Sequence, residues 1–167
     1  MMARAHPSPG LRPYLPADAP LLAEIFRASV EELAADDYNA AQQQAWASFA
    51  DDAAFVKKLS DNLTLVATLD GSPVAFATLE DAEQIAMLYV HPAAAGRGIA
   101  SMLCDALEKL AAARGTTRLT ADASDSARSF FEQRGYVAQQ RNTVSQGGEW
   151  LANTTMTKQL TAKREAS

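Results

Sequence analysis

The sequence predicts a mixed α/β domain in which a central sheet of about six to seven strands is flanked by about four to five helices. Three observations predict it. Segments with apolar residues at helical spacing alternate with short β-rich runs, and an Asp-Gly pair separates two of those runs. The stretch "LYVHPAAAGRGIAS" joins a strand-like segment to a helix-like one. We expect one domain over residues 1–160 and a frayed tail over 161–167.

The amino-terminal third reads as one strand followed by helices. "LRPYL" is a short strand candidate, and a helix is predicted over residues 17–34. Its apolar residues recur at helical spacing: Leu22, Ile25, Phe26 and Val30. In "NAAQQQAWASFADDAAFVKKLS", Asp51 and Asp52 are expected to form a cap between two short helices.

The middle of the chain changes to a period of two. Asp70-Gly71-Ser72 lies between β-rich runs and predicts a hairpin. A third strand follows in "AEQIAMLYVHP", with alternation placing Ile85, Met87 and Tyr89 on one face and Ala86, Leu88 and Val90 on the other. Because both faces are apolar, we expect this strand in the middle of the sheet, covered on both sides.

The second half begins with a long helix near Gly98, which Gly115 is placed to end. Its apolar stripe is Ile99, Leu103, Leu107 and Leu110. "TTRLTAD" predicts a strand, and "SDSARSFFEQRG" predicts a short helix with Ser124 as its N-cap and Gly135 as its end. Two strands, "YVAQQRNTV" and "WLANTTMTKQL", close the domain.

Composition excludes several classes of function. No secretory signal or membrane-length apolar run is present, so a cytoplasmic protein without a membrane partner is expected. Cys104 is the only cysteine, and with two histidines it leaves no ligand set for a metal. A net charge of -5 argues against a nucleic-acid partner, which needs clustered cationic side chains.

The glycine turn is the strongest functional feature. Gly96 and Gly98 let another molecule approach the backbone, and the following helix presents free N–H groups and a partial positive charge. Together these features favour an anion such as a pyrophosphate. A Walker loop is disfavoured because it requires a lysine that is missing here. A dinucleotide-binding turn is disfavoured because Ser101 occupies the position of its third small residue. A glycine turn without a ligand is the remaining alternative.

Three motifs in order resemble the GNAT acetyltransferase superfamily over nearly the whole chain. "LYVHPAAAGRGIAS" supplies Val90, Pro92, Gly98 and Ala100 at places matching the core signature. "ARSFFEQRGY" matches a second signature, and "GGEWLANTTMTKQL" resembles a small bacterial branch ending in Gly-Glu and Met-x-Lys-x-Leu. The resemblance implies the GNAT fold and transfer of an acetyl group from acetyl-CoA, as co-substrate and without a metal, to a primary amine by direct attack.

The resemblance also implies positions for the cofactor. The pantetheine arm maps onto backbone groups of Leu88, Tyr89 and Val90. The pyrophosphate maps onto amides of the glycine turn: Gly96, Arg97, Gly98, Ile99, Ala100 and Ser101. Ser124 falls where the family commonly has an asparagine, and Ala95 replaces the Gln or Arg that opens the core signature.

One departure from the family pattern bears on how the CoA thiolate is protonated. The family's usual tyrosine, proposed to protonate the departing thiolate, falls at Phe131, whose ring lines the cofactor but donates no proton. Water or another group could serve, since a thiolate is a good leaving group. The alternative is a protein that binds acetyl-CoA as a sensor or interaction module without turnover.

The remaining candidates concern the amine. A base is expected near it, and four carboxylates lie at strand ends: Glu80, Glu83, Asp122 and Glu149. Glu149 is preferred because it belongs to the branch signature, and Ser124 is the preferred polar contact near the thiol. By resemblance, Tyr38 and Trp46 lie in the helical region that shapes the acceptor pocket, for a small-molecule or protein amine. The sequence itself does not give the oligomeric state, but the resemblance is compatible with a homodimer, since pairing through the last strands is common among similar proteins.

Overall fold

Within residues 8–33 and 35–160, which the computed structural model describes, one seven-stranded sheet is covered by five α-helices. The strands are β1 (Pro9–Pro13), β2 (Leu63–Leu69), β3 (Ser72–Glu80), β4 (Gln84–Val90), β5 (Arg118–Ser124), β6 (Val137–Gln146) and β7 (Glu149–Gln159). The helices are α1 (Ala19–Leu33), α2 (Ala40–Ala47), α3 (Ala53–Asp61), α4 (Ile99–Ala113) and α5 (Arg128–Gln133). This arrangement confirms the predicted mixed α/β fold. The predicted tail at 161–167 lies outside the described residues.

The sheet order is β1-β2-β3-β4-β5-β7-β6. Every pair of neighbours is antiparallel except β4 and β5, which are parallel and are joined by α4. The last strand in the chain, β7, is therefore inserted between β5 and β6. Antiparallel hairpins in the first half and a parallel connection in the second agree with the sequence prediction.

Local turn and capping chemistry sets most element boundaries. Asp70 and Gly71 both have positive φ angles, 53° and 84°, as a type I′ hairpin requires, and the predicted turn is confirmed. Asp52 caps α3 by accepting a hydrogen bond from the N–H of Ala54 at 2.9 Å, as predicted. The helix predicted from residue 17 instead opens with one 3-10 turn, Pro16–Asp18, before α1 begins.

The predicted side-chain alternation of β4 is wrong at one point. Thr78 of β3 lies opposite Met87, whereas Leu79 lies opposite Ile85, so Ala86 is an extra residue in a β-bulge. A bulge reverses the alternation, because residues two positions apart on the bulged strand lie opposite adjacent residues of the partner strand and so face opposite sides of the sheet. Ile85 consequently packs on the α4 side of the sheet, and Met87 packs on the α1 and α3 side.

Of the three hydrophobic clusters among the described residues, the two larger ones lie one on each face of the sheet and hold the layers together. On the first face α4, which carries the predicted stripe, packs over β2, β3 and β4, and Leu103, Leu107, Leu119 and Met156 are fully buried. On the other face α1 and α3 contribute Leu22, Phe26 and Phe55. Burial of each such side chain stabilises the fold by about 1.5–3 kcal/mol. The central position of β4, covered on both sides, is confirmed.

The short helix in the second half begins later than predicted. Its N-cap is Ala127, and Ser124 is the last residue of β5. The Ser124 hydroxyl accepts a hydrogen bond from the N–H of Ala127 at 3.1 Å, so it closes the turn before α5 rather than capping the helix. Gly135, with φ 95°, follows the end of α5 as predicted.

Candidate functional site

The parallel strands β4 and β5 separate soon after they meet. Their paired residues are only Gln84 with Thr120 and Ile85 with Ala121, next to the Ala86 bulge. Beyond this point β4 continues to Val90 and β5 continues to Ser124 without pairing to each other. Backbone N–H and C=O groups on the facing edges of the two strands are therefore available to a ligand that enters the gap.

A cavity of about 410 Å³ occupies this gap. Its floor is formed by residues 84–89 of β4 and 121–124 of β5. Its other walls are side chains from the helices and from the last two strands, namely Phe26, Tyr38, Trp46, Phe49, Lys58, Glu80, Ala127, Phe131, Val144, Gln146, Leu151, Ala152 and Asn153. The volume is that of a small-molecule site.

The glycine turn lies after the end of β4, where the two strands are apart. Gly96 and Gly98 have φ angles of 80° and 76°, and a Cβ on either would meet no atom within 4 Å. The first backbone hydrogen bond of α4 joins the N–H of Met102 to the carbonyl of Gly98 at 3.0 Å. Within the described residues, no N–H from Gly96 to Ser101 has a protein partner. These open, unpaired donors at a helix start form a cradle suited to a phosphate group.

The structure brings most of the sequence-predicted residues together. Leu88, Tyr89, Ser124, Phe131, Tyr38 and Trp46 all line the cavity. Val90 instead packs against the α4-side core. Residues 96–101 lie outside the cavity, in the adjoining turn and the first turn of α4, and Ser101 also borders a second hollow between α4 and α5.

Glu149 is not brought into the site. It is the first residue of β7, opposite Gln146 across the turn of the last hairpin, and it is not among the cavity-lining residues. Glu80 and Asp122 are the carboxylates that line the cavity.

Ser124 and Phe131 occupy the end of the cavity near α5. Phe131 is 4% exposed and its ring packs edge-on against Tyr136, with centroids 5.1 Å apart. The Tyr136 hydroxyl donates to Glu108 at 2.9 Å, on the α4 side, and is not a cavity-lining group. Ser124 uses a lone pair to accept from Ala127, which leaves its own proton free to donate.

An aromatic wall made of Phe26, Tyr38, Trp46, Phe49 and Tyr89 closes the other side of the cavity. Ring centroids are 5.4 Å apart for Tyr38 and Trp46, and 4.5 Å apart for Phe26 and Tyr89. The Tyr38 hydroxyl donates to the carbonyl of Ala152 at 2.7 Å and accepts from the N–H of Asp125 at 2.9 Å. Its ring, rather than its hydroxyl, is therefore what it offers to a ligand. Burial raises the pKa of the Tyr89 hydroxyl to about 12, which keeps that group neutral.

Sequence reasoning gave little weight to the most distinctive polar group of the site. Asp122 lies in β5 directly after the last residue paired with β4, and it is exposed to the cavity. Its oxygens accept from Thr155 Oγ1 at 2.8 Å and from Gln84 Nε2 at 3.3 Å. Since these partners come from strands far apart in sequence, no local motif could have revealed the contact.

Within residues 8–33 and 35–160, no helix combines the length and the apolar character needed to span a membrane. No group of three or more His, Cys, Asp or Glu residues is placed there to hold a metal ion.

Comparisons with known proteins agree with this geometry. The family described as "Acetyltransferase (GNAT) domain" matches residues 34–160. The uncharacterized N-acetyltransferase YafP of Escherichia coli is 34% identical over 143 residues, covering 86% of this chain and 91% of YafP.

Solved structures show the same fold. A GCN5-related N-acetyltransferase from Rhodopseudomonas palustris, whose description also carries the words "Aminotransferase, Class-II", is 61% identical with a TM-score of 0.90 and covers 95% of this chain and 100% of its own. PaiA N-acetyltransferase from Thermoplasma acidophilum, solved in complex with coenzyme A, is 19% identical with a TM-score of 0.73, over 91% of this chain and 99% of its own. On the family match and the two close relatives, the chain belongs to the GNAT family of acetyl-CoA-dependent N-acetyltransferases.

Proposed function

We propose that this enzyme moves the acetyl group of acetyl-CoA to a primary amine by direct attack, with both substrates bound at once. One observation carries the proposal: the gap between β4 and β5 opens into a cavity beside the unpaired N–H groups at the start of α4. The gap takes a narrow, extended arm, the amides take an anion, and the cavity takes a second small molecule. Acetyl-CoA with an amine acceptor meets all three requirements.

The chain offers two kinds of contact to acetyl-CoA. The N–H groups of residues 96–101 would hold the diphosphate, aided by the positive end of the α4 dipole. The free edge of β4 over Leu88, Tyr89 and Val90 would pair with the amide groups of the pantetheine arm, much as another strand would. Ser124, Ala127 and Phe131 would border the sulfur end of that arm.

The transfer then needs positioning more than covalent catalysis. The amine nitrogen attacks the thioester carbonyl carbon, a C–N bond forms, and the C–S bond breaks. The nitrogen loses one proton as the amide forms, and the departing sulfur takes up one proton to give the free thiol of CoA. A backbone N–H of β4 near the Ala86 bulge would polarise the carbonyl as its oxygen gains charge.

Ser124 is our candidate proton donor to the departing thiolate. Its free hydroxyl proton lies on the same cavity wall as Phe131, which takes the family's usual tyrosine position without offering a proton. Replacing Ser124 with Ala should lower kcat by about 10-fold or more while leaving acetyl-CoA binding intact. A matched Glu149→Gln variant tests the other sequence candidate, and it is expected to retain activity because Glu149 lies outside the cavity.

The test is a thiol-release assay with acetyl-CoA and a panel of primary amines, read alongside acetyl-CoA binding heat. Amine-dependent release of CoA thiol supports the transferase. Binding heat without thiol release for any amine would favour the alternative of a cofactor sensor. That alternative is suggested by Phe131, which has no hydroxyl to protonate the thiolate. Loss of both signals would overturn the assignment of the cofactor site.

A further inference from the structure

We propose that Asp122 receives the positively charged amino group of the acceptor, so that this enzyme selects primary amines that are protonated at neutral pH. The inference rests on the proposed function and names its substrate class. It assigns a role to a carboxylate that lies outside every motif of the sequence.

The position of Asp122 fits this role. It follows Ala121, the last β5 residue paired with β4, so it stands where the two strands begin to separate and next to the Ala86 bulge. Its neighbours Ala121 and Ala123 are buried in the α4-side core. Strand alternation therefore places the carboxylate on the opposite face, the face that carries the aromatic wall.

The charges around the cavity single out Asp122. Among the residues that the structure describes, three charged side chains line it: Lys58, Glu80 and Asp122. Lys58 and Glu80 neutralise each other, with Nζ and Oε1 3.3 Å apart. Within the described part of the chain, no Lys, Arg or His nitrogen lies within 4.0 Å of Asp122. Of the described carboxylates that line the cavity, Asp122 is thus the one without a cationic partner, and an incoming ammonium group would supply that partner.

The hydrogen bonds across four strands point toward Asp122. Gln140 Nε2 donates to Asn142 Oδ1 at 2.9 Å, and Asn142 Nδ2 donates to Thr155 Oγ1 at 2.7 Å. Because the Thr155 oxygen already accepts this bond, its single proton is directed to Asp122 Oδ1 at 2.8 Å. Gln84 Nε2 donates to the other oxygen at 3.3 Å.

This direction has two consequences. Both hydrogen-bond partners of Asp122 are donors, and together they fix the orientation of the carboxylate. Each oxygen uses only one lone pair on the protein, so one on each remains for the acceptor. Trp46 and Tyr89 line the same cavity, and their aromatic rings would add to its attraction for a cation.

The proton balance is simple. The acceptor enters as an ammonium group and gives one proton to a carboxylate oxygen of Asp122 or to water held there, and that proton passes on to solvent. The neutral nitrogen, with its lone pair free, then attacks the thioester carbon as described above. No oxidant, reductant or metal is needed.

The experiment compares benzylamine, which is protonated at pH 7.5, with aniline, which has the same ring but is neutral at that pH. Thiol release at saturating acetyl-CoA is measured for the wild type, Asp122→Asn and Asp122→Glu. Asp81→Asn is the matched control, because it removes one carboxylate from an exposed turn outside the cavity. Thermal unfolding and acetyl-CoA binding heat show whether each variant keeps its fold and its cofactor site.

We expect Asp122→Asn to lower kcat/KM for benzylamine by about 10- to 100-fold, mainly through KM, which is the loss from removing a charged hydrogen-bond partner. Asp122→Glu should recover part of the loss, and aniline should change by less than about 3-fold. A wild-type KM for benzylamine in folded Asp122→Asn would overturn the inference and leave the proposed function standing. A higher kcat/KM for aniline than for benzylamine in the wild-type enzyme would also overturn the inference and leave the proposed function standing. No release with any amine would overturn both.

Discussion

Replacing Gly98 by Asp should weaken acetyl-CoA binding through charge rather than through shape. Gly98 has φ 76°, and an added Cβ would meet no atom within 4 Å, so a side chain fits but its backbone conformation is strained. That strain amounts to about 1–2 kcal/mol for a residue with a side chain. For a domain of this size it should lower Tm by about 2–8 °C.

Asn is the matched control, since it has the size of Asp and tolerates the left-handed conformation equally. Both variants should therefore lose similar stability. Only Asp places a negative charge beside the N–H groups of residues 96–101, where the diphosphate is proposed to bind. Two unit charges at 4 Å repel each other by about 1 kcal/mol in water and about 4 kcal/mol near a protein surface. The Kd for acetyl-CoA should rise about 10- to 100-fold in Gly98→Asp relative to Gly98→Asn.

Titration calorimetry with acetyl-CoA measures this ratio, and falling salt should increase it. S-acetylpantetheine supplies the decisive comparison, because it keeps the thioester and lacks the diphosphate. Its kcat/KM should be the same in the two variants. Equal Kd values for acetyl-CoA, or an equal loss with S-acetylpantetheine, would refute the assignment of the diphosphate to this turn.

Three other predictions concern stability and reactivity. Tyr38→Phe leaves the N–H of Asp125 without its partner, so the free energy of unfolding should fall by about 1–3 kcal/mol in urea titrations. Burial raises the pKa of Cys104 to about 12, so Ellman's reagent should modify this single thiol at pH 8 only after unfolding, and fast modification of the native protein would contradict its burial. The hydrogen-bonded Arg12 guanidinium lowers the pKa of Asp18, so the pair stabilises the fold above about pH 4 and loses its effect as the pH falls through that lowered pKa. Asp18→Asn should therefore unfold more easily by about 2 kcal/mol at pH 7 and match the wild type in acid.

Features decided by a few adjacent residues could be predicted from the sequence. The Asp70-Gly71 turn, the Asp52 cap and the start of α4 after Gly98 each depend on local backbone chemistry, and each is confirmed. The glycine turn was also placed correctly between a central strand and a long helix. Its role in binding the diphosphate stays a prediction.

Features decided by a distant partner could not be predicted. The bulge at Ala86 depends on how β3 pairs with β4, and it moved Ile85 to the opposite face from the one predicted. The prediction of Ser124 as the N-cap is wrong because its hydroxyl accepts a hydrogen bond from Ala127, within the turn before α5.

The Asp122 contacts depend on the sheet order. Thr155 reaches Asp122 only because β7 pairs directly with β5. A single sequence contains no local trace of that neighbour.

The insertion of β7 between β5 and β6 also bears on how the chain acquires activity. The β2–β3 hairpin closes between Leu69 and Ser72, whereas β5 pairs with a segment much further along, from Arg118 with Gln159 to Ser124 with Asn153. Such long-range closure is slow compared with hairpin formation. During refolding we therefore expect one edge of β5 to stay unpaired, and open to proteolysis and association, until β7 pairs with it. The ability to hold coenzyme A should emerge in the slowest kinetic phase, well after most secondary structure is in place.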